Sequence, residues 1–286
     1  MKYPQKIDLH IHTIVSDGTD TPAQLLDKVR DLGLEMFAIS DHDDVKGCRI
    51  MRELLSKDDP LFLPGAEFSC RDEEGKYHVL GYGYDADSDA MTGLIGEVHQ
   101  LRIDKVVRRL DLLETSFGFH FSKEDIDDLL TLDNPGKPHI GNMMVKYGYA
   151  ESRDEAIRNY INHLKYTPRY LDPKTAIENI LAGGGIPILA HPAYGDGDQL
   201  ILGDEMIDRL KKLMSYGLKG VEAFYSGFTP KLTEMMLDLA RQYDLYVTAG
   251  SDYHGTNKTV MLGDTGHMAD YDMPEGMKKF FDDVIK

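Results

Sequence analysis

Two histidines separated by one residue stand near the start of the chain. His10 and His12 end a short apolar run that begins at Ile7. In a β-strand, alternate residues point to the same face, so both imidazoles would face one site. Taken alone, such a pair is typical of surface histidines. A chemical site therefore requires partners for these imidazoles further along the chain.

Such partners recur at the ends of predicted strands. We predict one strand beginning at Ile7 and six more, at residues 36–40, 61–67, 77–82, 186–190, 220–224 and 245–249. The polar residues at their carboxyl ends are Asp41, His42, Glu67, His191, Asp252 and His254, while Asp17 follows the first strand and His78 lies inside the fourth. Because the carboxyl ends of parallel strands share one rim of a barrel, we expect these side chains to converge there.

Amphipathic helices separate most of these strands. The first is predicted to start at Thr21-Pro22 and to stop at Gly33, a favourable pair of helix boundaries. The alternation of strand and helix predicts a parallel α/β core, with seven strands instead of the eight of a standard barrel.

The donor set at the predicted rim consists of imidazoles and carboxylates without a thiolate. This set suits Mn, Fe or Zn in a catalytic site, and it contains too many ligands for one ion. Two or three divalent ions fit better, with Glu67 as the bridging carboxylate. Such a centre lowers the pKa of a bound water and neutralises a phosphoryl group. His99, His120, His163 and His267 do not share this placement and are interpreted as ordinary core or surface residues.

A helical insertion interrupts the strand–helix pattern. We predict a barrel domain at 1–90 and 174–286 and an inserted helical domain at 91–173. Residues 93–175 carry 12 basic and 13 acidic side chains and are nearly neutral, whereas the whole chain has a formal net charge of −17. The insertion either only shields the site or also binds substrate, and its polar segment 136–139 favours substrate binding.

The charge and composition of the chain exclude several classes of protein. A net charge of −17 disfavours binding to long nucleic acids, whose affinity comes mostly from basic groups that neutralise phosphates. Two cysteines form no disulfide framework or Cys-x-x-Cys pair. No stretch resembles a signal peptide or a membrane span, so we expect a cytoplasmic protein with no membrane partner.

Five segments resemble the ordered motifs of the PHP (polymerase and histidinol phosphatase) family. They begin at Asp8, Ser40, Gly65, Ala190 and Ser251, and they read DLHIHT, SDHD, GAEFS, AHP and SDYHG. The resemblance covers nearly the whole chain. It implies a distorted seven-stranded β/α barrel that holds two or three metals and hydrolyses phosphate esters through a metal-bridging hydroxide.

The resemblance also implies a set of ligands for each metal position. His10, His12, Glu67 and Asp252 would hold the first ion. The second would be held by Asp17, His42 and His254, and the third by Glu67, His78 and His191. Within this set Asp17, Glu67, His191 and His254 are the predicted catalytic residues, with His191 or His254 as a candidate general acid.

The insertion resembles a branch that acts on nucleoside 3′,5′-bisphosphates or short oligonucleotides. The residues that carry this second resemblance are Arg102 and Arg108, followed by the segments 136–139 and 168–170. Lys137, His139 and Arg169 are the implied substrate-binding residues. The branch usually has arginine at position 137, and lysine lacks the bidentate fork of arginine.

The predicted substrates are therefore small phosphate esters, above all nucleotides such as AMP or nucleoside 3′,5′-bisphosphates. Hydrolysis of a ribose 1,2-cyclic phosphate-type ester and trimming of short oligonucleotides stay open as alternatives. More distant alternatives are an amidohydrolase, which shares the His-x-His start on a β/α barrel, and a metal- or ligand-binding module without activity.

Overall fold

The computed structural model describes residues 3–195, 199–267 and 272–285. Seven strands form one mixed sheet that nearly closes into a barrel, with neighbours in sequence order. The strands are β1 Ile7–Ile11, β2 Met36–Ile39, β3 Leu61–Asp72, β4 Gly75–Tyr82, β5 Ile186–Leu189, β6 Gly220–Tyr225 and β7 Tyr246–Gly250. This confirms the predicted seven-stranded α/β barrel.

The predicted parallel α/β core is interrupted at β4. This strand pairs antiparallel with both β3 and β5, whereas the other neighbouring strands are parallel. The reason lies in the connection from β3 to β4, where only Glu73 and Glu74 separate the two strands. A two-residue loop joins antiparallel strands only, because a parallel pair needs a crossover of a dozen residues or more.

Backbone hydrogen bonds join the first and last strands. The His12 amide donates to the Tyr253 carbonyl over 2.9 Å, and the Asp252 amide donates to the His10 carbonyl over 2.8 Å. These bonds lie at the carboxyl ends of β1 and β7. They bring the His-x-His pair and the Asp252–His254 segment to the same place.

The described residues contain ten α-helices. They are α1 Pro22–Leu32, α2 Lys46–Leu54, α3 Asp89–Phe117, α4 Lys123–Leu130, α5 Lys137–Lys146, α6 Arg153–Asn159, α7 Pro173–Ala182, α8 Gly203–Tyr216, α9 Pro230–Gln242 and α10 Glu275–Val284. Helix α1 shows why these boundaries form. Thr21 makes a reciprocal capping box with Gln24, and Gly33 ends the helix at φ 63°, a left-handed conformation that suits glycine.

The chain divides into two compact units. One comprises Met1–Ile95 with Leu171–Lys286, and the other is Gly96–Tyr170. In the first unit, apolar residues of α1 and α2, such as Leu25 and Met51, pack with Ile11 and Phe37 of the sheet. The second unit has its own helical core, which includes Val106, Ile140 and Met144. Each unit therefore buries a hydrophobic core of its own.

Across the described ranges, every helix is too short or too polar to cross a lipid bilayer.

Candidate metal centre

Glu67 is the middle of a cluster of imidazoles at the rim of the barrel. Its carboxylate is almost completely buried, with only 1% of the residue exposed. Five imidazole nitrogens lie 2.8–3.3 Å from its two oxygens. They belong to His10, His12 and His42, which face Oε2, and to His78 and His191, which face Oε1.

Asp252 completes the first group of potential ligands. Its Oδ1 lies 3.3 Å from His12 Nε2 and 3.7 Å from His10 Nε2. These two nitrogens also face Glu67 Oε2, at 3.3 and 3.2 Å. Because one potential ligand atom from each of these four residues lies within 4.8 Å of the others, the group has the dimensions of a metal site. It is the set predicted for the first ion.

A second group forms around Asp17 in the loop after β1. Asp17 Oδ1 is 3.2 Å from His254 Nε2, and Oδ2 is 4.0 Å from His42 Nε2. The structure adds His12, whose Nδ1 is 3.6 Å from Asp17 Oδ1. These four residues also lie within ligand distance of one another. The imidazole of His12 therefore stands between the two groups.

The third group shares the other oxygen of Glu67. His78 Nδ1 lies 2.8 Å and His191 Nε2 lies 3.1 Å from Glu67 Oε1. The geometric grouping differs from the predicted third set: it joins Glu67 and His78 with His42, whose Nδ1 is 3.2 Å from Glu67 Oε2, and does not include His191. His78 reaches this place from within β4, since the antiparallel register sets it opposite Ser69, two residues beyond Glu67.

Several buried imidazole nitrogens of the cluster make no well-formed hydrogen bond. They are His10 Nε2, His12 Nε2, His42 Nδ1 and both nitrogens of His78. A buried polar atom without a partner is costly, and native structures rarely contain one. Divalent ions would satisfy these nitrogens and the crowded carboxylates together. The residues present therefore fit a metal centre with nitrogen and oxygen ligands.

The charges and the burial within the cluster strongly shift the pKa values of its side chains. Burial opposes ionisation of Glu67, but the surrounding imidazoles, led by His78 and His10, hold its pKa well below the usual range. Burial likewise opposes the charge of His12, yet the contacts with Asp252 and Glu67 raise its pKa to about 9. At His42 burial dominates, and the pKa falls to about 3. The cluster thus combines ionised carboxylates with imidazoles of very different proton affinity.

Residues around the cluster hold its loops in place. Asp41 accepts hydrogen bonds from the Thr13 amide and hydroxyl, at 2.7 and 2.8 Å, and from the Ser16 hydroxyl at 2.8 Å. These bonds fold the loop that carries Asp17 back toward β2. His191 and Asp252 have positive φ angles of 29° and 60°, which are rare for residues with side chains. Strain of this kind concentrates at functional sites.

Gly250 permits the close approach of β7 to β1 at the centre. A Cβ atom there would lie 2.2 Å from the Cβ of His10 and 2.3 Å from Glu222 Oε1. Both distances are far shorter than a van der Waals contact. The absence of a side chain at Gly250 is therefore required for the packing of His10.

Three residues at the centre were not predicted from the sequence. Glu222 on β6 lies 2.9 Å from His10 Nδ1 and is completely buried. Tyr225 and Lys258 both donate to Asp252 Oδ2, over 2.9 and 2.7 Å. Only Glu222 carried a signal, as a charged residue inside an otherwise apolar predicted strand. Tyr225 and Lys258 have no spacing that marks them.

The predicted substrate-binding residues lie in the second unit. Lys137 is half-buried at the start of α5, and its Nζ donates to Asn162 Oδ1 over 2.7 Å. Burial and the charge of Arg109 lower the pKa of Lys137, while burial and Arg102 lower that of His139. The Arg109 guanidinium lies over the Tyr166 ring, 5.8 Å from its centroid. Arg169 is exposed near the end of this unit.

Comparison with known families decides the membership of this chain. The model of the PHP domain matches residues 8–282. The chain belongs to the PHP domain family. The resemblance predicted from the five motifs is thereby confirmed, and His, Asp and Glu side chains at the rim form groups that could hold metal.

Curated relatives span most of the chain but differ in name. A phosphoribosyl 1,2-cyclic phosphate 1,2-diphosphodiesterase of Eggerthella lenta is 30% identical, over 87% of this chain and 94% of its own. A 5′-3′ exoribonuclease of Haemophilus influenzae is 27% identical, over 94% and 97%. A 3′,5′-nucleoside bisphosphate phosphatase of Chromobacterium violaceum is 24% identical, over 92% of each chain.

A solved structure supports both the fold and the enzyme class. It is described as a metal-dependent phosphoesterase from Bifidobacterium adolescentis, with 27% identity and a TM-score of 0.75 over 99% of each chain. The expected hydrolase activity on phosphate esters, dependent on metal, is confirmed at this level.

Proposed function

We propose that this enzyme hydrolyses small phosphate esters, above all nucleotides such as AMP or nucleoside 3′,5′-bisphosphates. The observation that carries the proposal is the Glu67 carboxylate, with both oxygens surrounded by five imidazole nitrogens at 2.8–3.3 Å. A carboxylate in this position suits a bridge between metal ions, and multinuclear centres are typical of phosphoester hydrolysis.

The proposed ligands are the three sets that the family resemblance implies. His10, His12, Glu67 and Asp252 would hold one ion, Asp17, His42 and His254 a second, and Glu67, His78 and His191 a third. The nitrogen and oxygen donors suit manganese, iron or zinc. When bound, such ions lower the pKa of water and neutralise phosphoryl oxygens. Three ions, rather than two, are proposed because His78 and His191 lie on the opposite oxygen of Glu67 from the other imidazoles.

The protein's own groups have separate roles in this proposal. Asp17 and Glu67 would supply the negative charge that holds the ions. As an alternative to ligation, His191 or His254 would donate the proton to the leaving group, because a metal-bound imidazole does not readily do both. Exposure favours His191, because 15% of its side chain is accessible, against 3% for His254. His254 Nδ1 is in addition bonded to the Asp252 carbonyl, at 2.8 Å.

Recognition of the substrate is assigned to the second unit. Lys137, His139 and Arg169 would bind a phosphate of the substrate, and the neighbouring Arg109 adds positive charge. The net charge of −17 disfavours long polynucleotides and therefore favours small substrates. The relative named as a nucleoside bisphosphate phosphatase supports a substrate with two phosphates.

A cyclic phosphodiester is the second candidate substrate. Two observations favour it: the relative at 30% identity is named as a cyclic phosphate diesterase, and lysine at position 137 lacks the bidentate geometry of arginine. Metal analysis together with a hydrolysis screen, in which chromatography resolves the products of each substrate, tests the choice. The screen compares AMP, nucleoside 3′,5′-bisphosphates, ribose 1,2-cyclic phosphate esters, oligonucleotides of increasing length and an amide substrate.

Each result of this screen has one meaning. Release of phosphate from mononucleotides, with rates that fall as oligonucleotides lengthen, supports the first proposal. Preference for the cyclic ester or for oligonucleotides would replace it with the corresponding alternative. Hydrolysis of the amide, without action on phosphate esters, would reject phosphoester hydrolysis altogether.

A further inference from the structure

Glu222 contacts two of the proposed metal-binding groups without belonging to either. It lies on β6, completely buried. Its Oε1 is 2.9 Å from His10 Nδ1, and its Oε2 accepts a hydrogen bond from the His191 amide over 2.8 Å. We propose that Glu222 is a positioning residue that orients His10 and His191 together, so that the first and third metal positions depend on one carboxylate. The inference rests on the metal centre proposed above.

The contact with His10 selects which ring nitrogen faces the centre. A neutral imidazole has one N–H and one nitrogen lone pair. With Nδ1–H donated to Glu222, the lone pair is at Nε2. This nitrogen lies 3.2 Å from Glu67 Oε2 and 3.7 Å from Asp252 Oδ1, where the first ion would be held. A carboxylate behind a ligating histidine fixes its tautomer and orientation.

The contact with His191 supports an unfavourable backbone conformation. His191 has a φ of 29°, outside the regions that residues with side chains normally adopt. Such a conformation persists only where surrounding contacts hold it. The bond from its amide to Glu222 is one such contact. It helps to place His191 Nε2 at 3.1 Å from Glu67 Oε1, in the third group.

The packing around Glu222 leaves little room for an alternative arrangement. A Cβ at Gly250 would approach both Glu222 Oε1 and His10 Cβ to less than 2.5 Å, so this pair lies directly against the backbone of β7. The carboxylate and imidazole are therefore held by shape as well as by their hydrogen bond.

The two acceptor oxygens of Glu222 make glutamine an informative replacement. An amide offers one acceptor oxygen and one donor NH₂ group. In Glu222→Gln, the NH₂ group must face either His10 Nδ1 or the His191 amide. In the first case His10 is driven to the tautomer with Nε2–H, which cannot ligate. In the second, two donors oppose each other at the strained residue.

The test is titration of metal-free protein with Zn²⁺ by calorimetry. We expect Glu222→Gln to bind zinc about 10–100-fold more weakly, or to bind fewer equivalents, in line with other residues that support metal ligands. Leu213→Ala is the control, because Leu213 is an apolar, fully buried residue of α8, a helix that carries none of the proposed ligands. It should lower the melting temperature and leave the zinc affinity of the folded protein unchanged.

A second measurement separates positioning from general stability. In the zinc-loaded, ¹⁵N-histidine-labelled protein, His10 should show a hydrogen-bonded Nδ1–H resonance, identified by its loss in His10→Gln. We expect this resonance to shift or disappear in Glu222→Gln and to persist in Leu213→Ala. If Glu222→Gln does not fold, Glu222→Asp takes its place, since the shorter side chain cannot reach both partners.

Unchanged zinc affinity and stoichiometry in the Glu222 variant that folds would overturn the inference. So would an unchanged His10 resonance. Neither measurement uses a phosphate ester, so the proposed function can fail in the substrate screen while the role of Glu222 stands, and the reverse also holds.

Discussion

The Tyr225 hydroxyl donates a hydrogen bond to Asp252 Oδ2 over 2.9 Å, while Oδ1 of the same carboxylate faces His12 at 3.3 Å. Asp252 therefore uses one oxygen toward the metal centre and the other toward supporting residues. Burial and the nearby carboxylates raise the pKa of Tyr225, which keeps its hydroxyl protonated and able to donate.

Removing the Tyr225 hydroxyl should weaken the first metal position. A hydrogen bond to a charged group is worth about 1.5–3 kcal/mol, and Lys258 still holds Oδ2 at 2.7 Å. We therefore expect Tyr225→Phe to lower metal affinity by about tenfold, measured by competition with a chelating dye. Tyr194→Phe is the matched control, because the Tyr194 hydroxyl donates to the Gly227 carbonyl and not, among the described contacts, to a proposed ligand. Equal effects of the two substitutions would contradict this role.

Loss of a central ligand should abolish activity. We expect His10→Ala or Asp252→Ala to eliminate turnover and to reduce bound metal, because each removes a buried group that faces Glu67 or His12. Elemental analysis and phosphate release measure the two effects on the same sample. His120→Ala is the control, since His120 is exposed and pairs with Glu114 at 3.0 Å. Full activity in either ligand variant would reject the proposed centre.

The charge of Lys137 should affect substrate binding rather than metal content. We expect Lys137→Ala to raise KM about tenfold or more for a substrate with two phosphates, because a charged contact to phosphate is lost. Metal content should be unchanged. Lys146→Ala is the comparison, since Lys146 lies at the other end of the same helix and pairs with Asp125. An unchanged KM would remove Lys137 from the substrate site.

The two cysteines should be unreactive in the folded protein. Burial raises the pKa of the Cys48 thiol to about 12 and that of Cys70 well above its usual range, so almost no thiolate is present at pH 8. We expect Ellman's reagent to label neither until guanidinium unfolds the chain, when both should react. For Cys48, the folded state binds its proton more tightly than the unfolded state. Its contribution to stability is thus complete below pH 9 and is lost as the pH rises toward 12.

Labelling of the native protein at pH 8 would show that these thiols are accessible. Cys48→Ala assigns the signal, because it should remove one of two labelled equivalents after unfolding. The pH-dependent part is checked by denaturant titration at pH 8 and pH 10, where the wild type should lose more unfolding free energy than Cys48→Ala.

The barrel and its rim were predictable because local patterns and topology agree. The strands that carry these ligands contain short apolar runs, and the polar residue after each run, as at Glu67 within β3 or His191 after β5, is placed by the shared direction of those strands. The error at β4 came from the segment 72–75, where three acidic residues precede Gly75 and mask a tight turn. That turn, rather than the composition of β4, determines the direction of the strand.

The supporting residues were not predictable in the same way. Glu222, Tyr225 and Lys258 act through contacts with residues at least six positions away in sequence, and for Glu222 and His10 the separation is 212 positions. No periodicity within one element encodes such a contact. It exists only after β1, β6 and β7 are side by side.

The missing side chain at Gly250 has a consequence for any attempt to engineer this protein. The seam between β1 and β7 is an attractive place for stabilising substitutions, since β-branched residues usually improve strand pairing. At Gly250 even one added methyl group would displace His10. A library that randomises this strand for stability would therefore disrupt the metal centre wherever it replaces this glycine. Gly250 should therefore be kept when other residues between β1 and β7 are redesigned.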